Sequence, residues 1–467
     1  MSSQPEFLRL KARYVFPIAG PPLADGIVTI RGQRIESVDS AAASAGSQAA
    51  DGVIDLGNAA LLPGLVNAHT HLEASDLPAP LGTAGMAFPR WIRRVIEHRA
   101  SRTFDPQAAI VQGLAECVRG GTTTVGEIAV APWTEATAGA ARIDAVVFRE
   151  LMGLSAEAAR AQLVGAREYL QDGAESPLTP NPSPAVGRGE KRFAAPYPPA
   201  GEPSQILSHP VGEALIKPSP LVGEGRVRGT QIRRGLSPHA PYTAGLMLVA
   251  GAVELACREA VPVAMHLAES PEEIEFLQTG EGPFRELLVD RGKWLPGSIR
   301  PGTRPLDYLR LLAAAPRALV IHGNYLDDEE IALVAAHAAR MSVVYCPRTH
   351  AYFGHARHPL ARLLQAGVNV CLGTDSRGSN PDLSLLEELR FVARHFPEIS
   401  PARVLELGTC NGAQALGCDE VGAIAAGKHA NLMAVALPDR DESDPCMLLL
   451  DSNQPAIATW VRGKRVV

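Results

Sequence analysis

The chain changes its hydrophobic rhythm twice. Near the start, "DGIVTIRGQRIESVDS" (Asp25–Ser40) alternates apolar and polar residues around turn residues, the period-2 pattern of half-buried strands. The last forty residues do the same in "GKHANLMAVAL" and "PAIATWVRGKRVV". Between them, short apolar runs alternate with helical stretches. The runs are "ALLPGLVNAH", "TTTVGEIAV", "DAVVFRELMG", "RRGLSPHA", "VPVAMHLAES", "ALVIHGNYL", "SVVYCP" and "NVCLGTDS". "AFPRWIRRVIEHR", "TAGLMLVAGAVELACREA", "DDEEIALVAAHAARM" and "DLSLLEELRFVARHF" are among the intervening helices. Eight strands alternating with helices predict an α/β fold, a parallel (β/α)8 barrel. The two strand-rich ends predict one small β-sandwich built from both termini. An open doubly wound sheet is the structural alternative, weakened by the lack of G-x-G-x-x-G after an early strand. The predicted boundaries are 1–60 and 419–467 for the sandwich and 61–418 for the barrel.

Residues 173–235 break the rhythm. They hold 11 of the 38 prolines, and "PSPAVGRG" (Pro182–Gly189) nearly repeats as "PSPLVGEG" (Pro218–Gly225). Such a stretch buries too little surface to offset its ordering entropy, so it reads as a disordered insertion between the third and fourth barrel strands.

Composition changes little in this picture. Of 467 residues, 46% are hydrophobic and 20% charged, with a formal net charge of −6; no basic block suggests nucleic acid. The N-terminus lacks the apolar core of a signal peptide, and no run is long enough to span a membrane. Seven scattered cysteines without a C-x-x-C pair suit a reducing cytoplasm and argue against a cysteine zinc site.

The chemistry sits where strands end. His69 and His71 fall two residues apart after "LLPGLV" and so point to one side of a strand. Alone, His-x-His is a weak signal for a metal. His266 ends "VPVAMH", His322 ends "ALVIH" and Asp375 ends "VCLGTD". Five such groups at C-terminal strand ends, where barrel enzymes place their catalytic groups, argue for a metal site.

In the motifs "LLPGLVNAHTHLE", "GLSPHAPYT", "MHLAES", "VIHGNYL", "VVYCPRTH", "CLGTDSRGSN" and "GAIAAGKHANL", the chain resembles the amidohydrolase superfamily, in its cytosine/guanine/adenosine-type deaminase and chlorohydrolase branch. The resemblance implies that His69, His71, His266 and Asp375 hold one divalent metal, zinc by default, with iron as the alternative. It places His322 beside the attacking water, makes Glu269 the proton-shuttling glutamate and turns His239 towards substrate. Asp375 can then take the water's proton, and Glu269 can protonate a ring nitrogen and the leaving ammonia. The dinuclear members' carboxylated lysine has no counterpart in "GLSPHAPYT", which favours one metal. Asn431 departs from the family's usual aspartate. "CPRTHAYFGH" departs towards histidines and aromatics and looks most like the aminofutalosine deaminases. Glu73, Trp91, Glu150, Arg348 and His350 are candidate substrate contacts.

The expected protein is therefore a cytoplasmic, metal-dependent deaminase of a small amino-heteroaromatic substrate, with a homodimer left open. A chlorohydrolase or cyclic-amide hydrolase using the same site is one alternative. A non-catalytic binding paralogue is another.

Overall fold

The structure, a computed structural model, describes residues 7–40, 52–140, 142–171 and 231–467. The predicted insertion lies outside the described residues, except that 231–235 already belong to the barrel: Gln231 is hydrogen-bonded to Asp144 and Ala145, and a barrel strand starts at Ile232.

One sheet is built from both ends of the chain. Its strands are β1 (Phe7–Val15), β2 (Leu23–Arg31), β3 (Arg34–Ser40), β4 (Val53–Asp55) and β5 (Ala59–Pro63). The second sheet is the barrel: β6 (Leu65–Thr70), β7 (Thr122–Ala129), β8 (Asp144–Leu151), β9 (Ile232–Pro238), β10 (Val263–Leu267), β11 (Ala318–His322), β12 (Met341–Tyr345) and β13 (Asn369–Leu372). The chain then returns to the first sheet with β14 (Leu432–Ala436), β15 (Ala456–Val461) and β16 (Lys464–Arg465).

The first sheet runs β16-β15-β14-β5-β1-β2-β3, with β4 also on β1. Its one hydrogen-bonded path covers a core of Leu10, Val28, Ile30, Leu61, Leu432 and Trp460. The barrel strands run in sequence order, all parallel. A bridge between Thr70 and Asp375 brings the last strand back to the first. All eight predicted barrel strands are present. Their interior is filled by side chains such as Val66, Ile128, Phe148, Leu319, Ile321 and Val344, a packed core.

The run "ALLPGLV", read from sequence as one strand, is two. Ala59–Pro63 pairs with β1 and β14, and Leu65–Thr70 pairs with β7. Gly64 stands at the break, where an added Cβ would lie 2.1 Å from the Thr123 side chain. The first sheet therefore includes Ala59–Pro63. Among the described residues no helix is long and apolar enough to cross a membrane.

Candidate active site

Buried strands end at the barrel mouth, and their last residues turn inward. Ala268, His322 and Asp375, after β10, at the end of β11 and after β13, have φ of 54°, 69° and 57°. Left-handed backbone is costly for residues with a Cβ, and it clusters at functional sites. Gly373 supplies room: a Cβ there would stand 2.8 Å from that of His69.

Five polar side chains converge in this space. His71 Nε2 is 3.2 Å from His266 Nε2 and 3.8 Å from Asp375 Oδ1, and His69 Nε2 is 3.6 Å from the same oxygen. His322 packs against the rings of His69 and His266. Both nitrogens of His69 and Nδ1 of His71 are buried without a hydrogen-bond partner. Unpaired buried imidazole nitrogens are expensive unless something else uses their lone pairs. Donors of one tetrahedral ion, each about 2.0–2.2 Å from it, stand roughly 3.3–3.6 Å apart. His69, His71, His266 and Asp375 have the donor chemistry of a divalent-metal site, and the ligand atoms of His69, His71 and Asp375, like those of His69, His266 and His322, lie within 4.8 Å of one another. His266 Nδ1 lies 3.1 Å from the His239 carbonyl. That carbonyl can only accept, so Nδ1 carries the proton and Nε2 keeps its lone pair for the site. Burial, then the neighbouring imidazoles, push the pKa of His71 and His266 well below the usual range, as ligands require.

Glu269 follows the strained Ala268. Its carboxyl is buried, 3.3 Å from His322 Nε2. Burial above all, then the charges of Asp375 and Glu273, push its pKa well above the carboxylate range. A carboxyl kept ready to hold a proton beside unpaired imidazoles is suited to acid/base work.

These groups open into a cavity of about 320 Å³. His71, His266, His322, Asp375, Glu269, His239, Glu73, Glu150 and Trp91 line it; His69 lies fully buried at its base. His239 Nε2 stands 3.7 Å from Glu150, and its Nδ1 stands 2.6 Å from the Thr243 hydroxyl. Burial first, helped by Arg99, lowers His239 to about 3, and burial raises Glu150 to about 7. Trp91 donates its Nε1–H to the Gly378 carbonyl at 2.9 Å, which fixes the ring as one wall. Glu73 pairs with Arg99 at 2.5 Å.

Two sequence candidates lie elsewhere. Arg348 and His350 do not line the cavity. Arg348 is bound to Glu388 at 2.7 Å and Asp382 at 2.6 Å, and with the Ser384 carbonyl these engage four of its five N–H donors away from the cavity. His350 faces Asn324 and the Ala356 carbonyl. Other residues of the site were not anticipated. Glu127 accepts the Thr70 hydroxyl at 2.6 Å and the Leu72 N–H at 3.0 Å, clamping the His-Thr-His backbone from below. A charged residue inside the apolar "TTTVGEIAV" was its one signal. Arg99 reaches the cavity from a helix, Phe88–Ser101, and no motif marks it.

A parallel barrel whose mouth gathers four histidines, an aspartate and a buried proton-holding glutamate has the layout of a metal-dependent hydrolase. The amidohydrolase family matches residues 60–466, and the chain belongs to that family. A 5-methylthioadenosine/S-adenosylhomocysteine deaminase of Moorella thermoacetica is 31% identical over 90% of this chain and 83% of the relative. The solved aminofutalosine deaminase of Helicobacter pylori, in complex with methylthio-coformycin, superposes with a TM-score of 0.77 at 21% identity, covering 98% of this chain and all of that one. An adenosine deaminase from Xanthomonas campestris with bound zinc gives 0.68 at 23% identity, over 98% and 92% of the two chains. These two likenesses share the fold.

Proposed function

We propose that this deaminase acts on an adenosine-type nucleoside with a bulky, largely apolar 5′ side, using one divalent ion, with zinc as the first candidate. The observation that carries the reading is the buried Glu269 carboxyl beside His322, at the base of a deep cavity. Ammonia needs a proton to leave and chloride does not, so this residue favours deamination over the chlorohydrolase alternative. The complete acid/base set also argues against a mere binding protein.

His69, His71, His266 and Asp375 would hold the ion, which supplies Lewis acidity and lowers the pKa of water from about 15.7 towards about 7. Asp375 takes the proton of the water that adds to the ring carbon bearing the amine. His322 orients that water. Glu269 gives its proton to the adjacent ring nitrogen; the proton held by Asp375 then passes to the amine, which leaves as ammonia, while the adduct's hydroxyl returns its remaining proton to Glu269 and becomes the carbonyl.

The nucleoside assignment is supported by the cavity's long apolar wall of Leu77, Leu81, Phe88, Trp91, Val95 and Ile96, larger than a free base needs, and by the names of the relatives. With Arg348 and His350 outside the cavity, "CPRTHAYFGH" does not choose the substrate by contact. All of these groups come from one chain, so the reading does not depend on a homodimer. Seven free thiols fit a cytoplasmic setting.

The test is ammonia release from 5′-methylthioadenosine, S-adenosylhomocysteine, 5′-deoxyadenosine and aminofutalosine, with guanine and cytosine alongside. Turnover of at least one nucleoside above both bases is expected. Deamination of the free bases alone would overturn the nucleoside reading. Chloride release from a chlorinated heterocycle, with no deamination at all, would favour the second reaction.

A further inference from the structure

The stretch Thr349 to His358 overlaps "CPRTHAYFGH", in which Arg348 and His350 were expected to touch substrate, and its histidines do not line the cavity. We propose that it is a positioning cluster, in which Thr349, His350 and His358 each hold one of the three residues that move or orient protons. This inference rests on the roles given above to Glu269, His322 and Asp375.

The connections follow from which atoms can donate. His358 Nε2 lies 3.0 Å from the His322 carbonyl. A carbonyl only accepts, so the ring must donate. The ring is buried and stacked on Tyr345, 3.9 Å between centroids and 21° between planes. His322 is left-handed at φ 69°, and a peptide in that region persists only where its surroundings over-determine it. The His358 bond is one of those determinants. Without it the His322 backbone can relax, and the imidazole 3.3 Å from Glu269 swings with it.

His350 acts through Asn324. The Asn324 side-chain nitrogen donates to the Glu269 carbonyl at 2.9 Å. Its oxygen therefore faces His350 Nδ1, 3.2 Å away, and accepts from it when that nitrogen carries the ring proton. His350 Nε2 lies 2.7 Å from a second acceptor, the Ala356 carbonyl, and a neutral imidazole has one N–H for the two. Thr349 acts through Ser379. The single Ser379 hydroxyl hydrogen points to Asp375 Oδ2 at 3.1 Å. Thr349, 3.0 Å from the same serine oxygen, must then be the donor to it. Arg348, bound to Glu388 and Asp382, pins the start of this short helix, Pro347–Phe353.

One stretch thus reaches three catalytic positions on three strands. A core segment that merely satisfies its own polar atoms would have no reason to converge in this way. Supporting bonds of this kind typically carry about 10–100-fold in activity.

The test uses the full chain with metal, on whichever nucleoside it deaminates best. His350→Leu and His358→Leu should each lower kcat by about 10–100-fold, with KM and metal content unchanged. His358→Gln retains a donor near the Nε2 position and should recover most of the loss. Variants that do not stay folded by thermal melting are replaced by Thr349→Val, read the same way. The decisive comparison is a cycle with Glu269→Gln. If His350 acts through Glu269, His350→Leu should cost little further turnover in that background. A rise in KM at constant kcat would mean substrate contact and overturn the inference, as would a full multiplicative loss in the cycle or wild-type activity in both leucine variants. If Glu269→Gln alone is fully active, the functional reading above has failed instead, and that result is separable from these.

Discussion

The two ends of the barrel handle buried polar groups in opposite ways. At the floor, Asp144 accepts from Arg462 at 3.0 Å, from Asn431 at 3.2 Å and from the Gln231 N–H at 2.7 Å. The charge is consumed within the protein, and it ties the small sheet to the barrel. The floor's unpaired groups are the hydroxyls of Thr122, Thr123 and Thr124. At the mouth, the unpaired groups include imidazole nitrogens of His69 and His71, beside backbone in left-handed conformations. A fold that can satisfy an aspartate with three donors at one end leaves strong ligands unsatisfied at the other. The mouth is therefore built around something the polypeptide does not supply. Asn431, where the family commonly has an aspartate, belongs to the floor: it bridges Asp144 and the Arg462 N–H. That departure does not touch the chemistry.

The contrast can be broken at either end. The largest effect is expected at the mouth. His69→Ala should abolish both metal binding and turnover while the chain stays folded, checked by elemental analysis and circular dichroism. Wild-type protein should carry about one ion per chain, and two would refute the mononuclear site. Next comes Glu269→Gln, expected to lower kcat by about 10²–10⁴ with the metal retained. Near-wild-type deamination in that variant would remove the main reason for preferring a deaminase.

At the floor the expectation inverts. Arg462→Met leaves Asp144 buried without its cation, a defect of roughly 3–5 kcal/mol when a buried pair is broken. Chemical denaturation should show the loss, while kcat of the folded fraction stays at the wild-type value. A fall in kcat there would mean that the two ends are coupled. The smallest effect is expected from deleting residues 174–229 and closing the gap with a short Gly/Ser linker, because loop entropy grows only slowly with length. Metal content and kcat should hold, and an insoluble or metal-free product would show that the segment serves the fold or the site.

Much of the mouth was legible as residues. His69, His71, His266, His322 and Asp375 each end or closely follow a run of buried apolar residues, and such runs are visible without coordinates. Glu269 was legible through its spacing from His266. What was not legible is which polar residues face the cavity. Arg348 and His350 sit in a histidine-rich motif three to five residues past a barrel strand, where contact with substrate is a natural reading. Their polar atoms instead face Glu388, Asp382, Asn324 and Ala356, partners up to 40 residues away that no local pattern reveals.

The sequence by itself determined the order of strands and helices, the strand ends that carry chemistry and the donor types available there, because periodicity and residue chemistry are local. Only the tertiary structure decided that Thr70 bridges to Asp375, that the run at Pro63–Gly64 divides between two sheets, and that the histidines after β12 lie behind the site. Those outcomes depend on which distant groups close the barrel and compete for each hydrogen bond. Hydrogen-bond competition is settled by position in space, which the chain acquires only on folding.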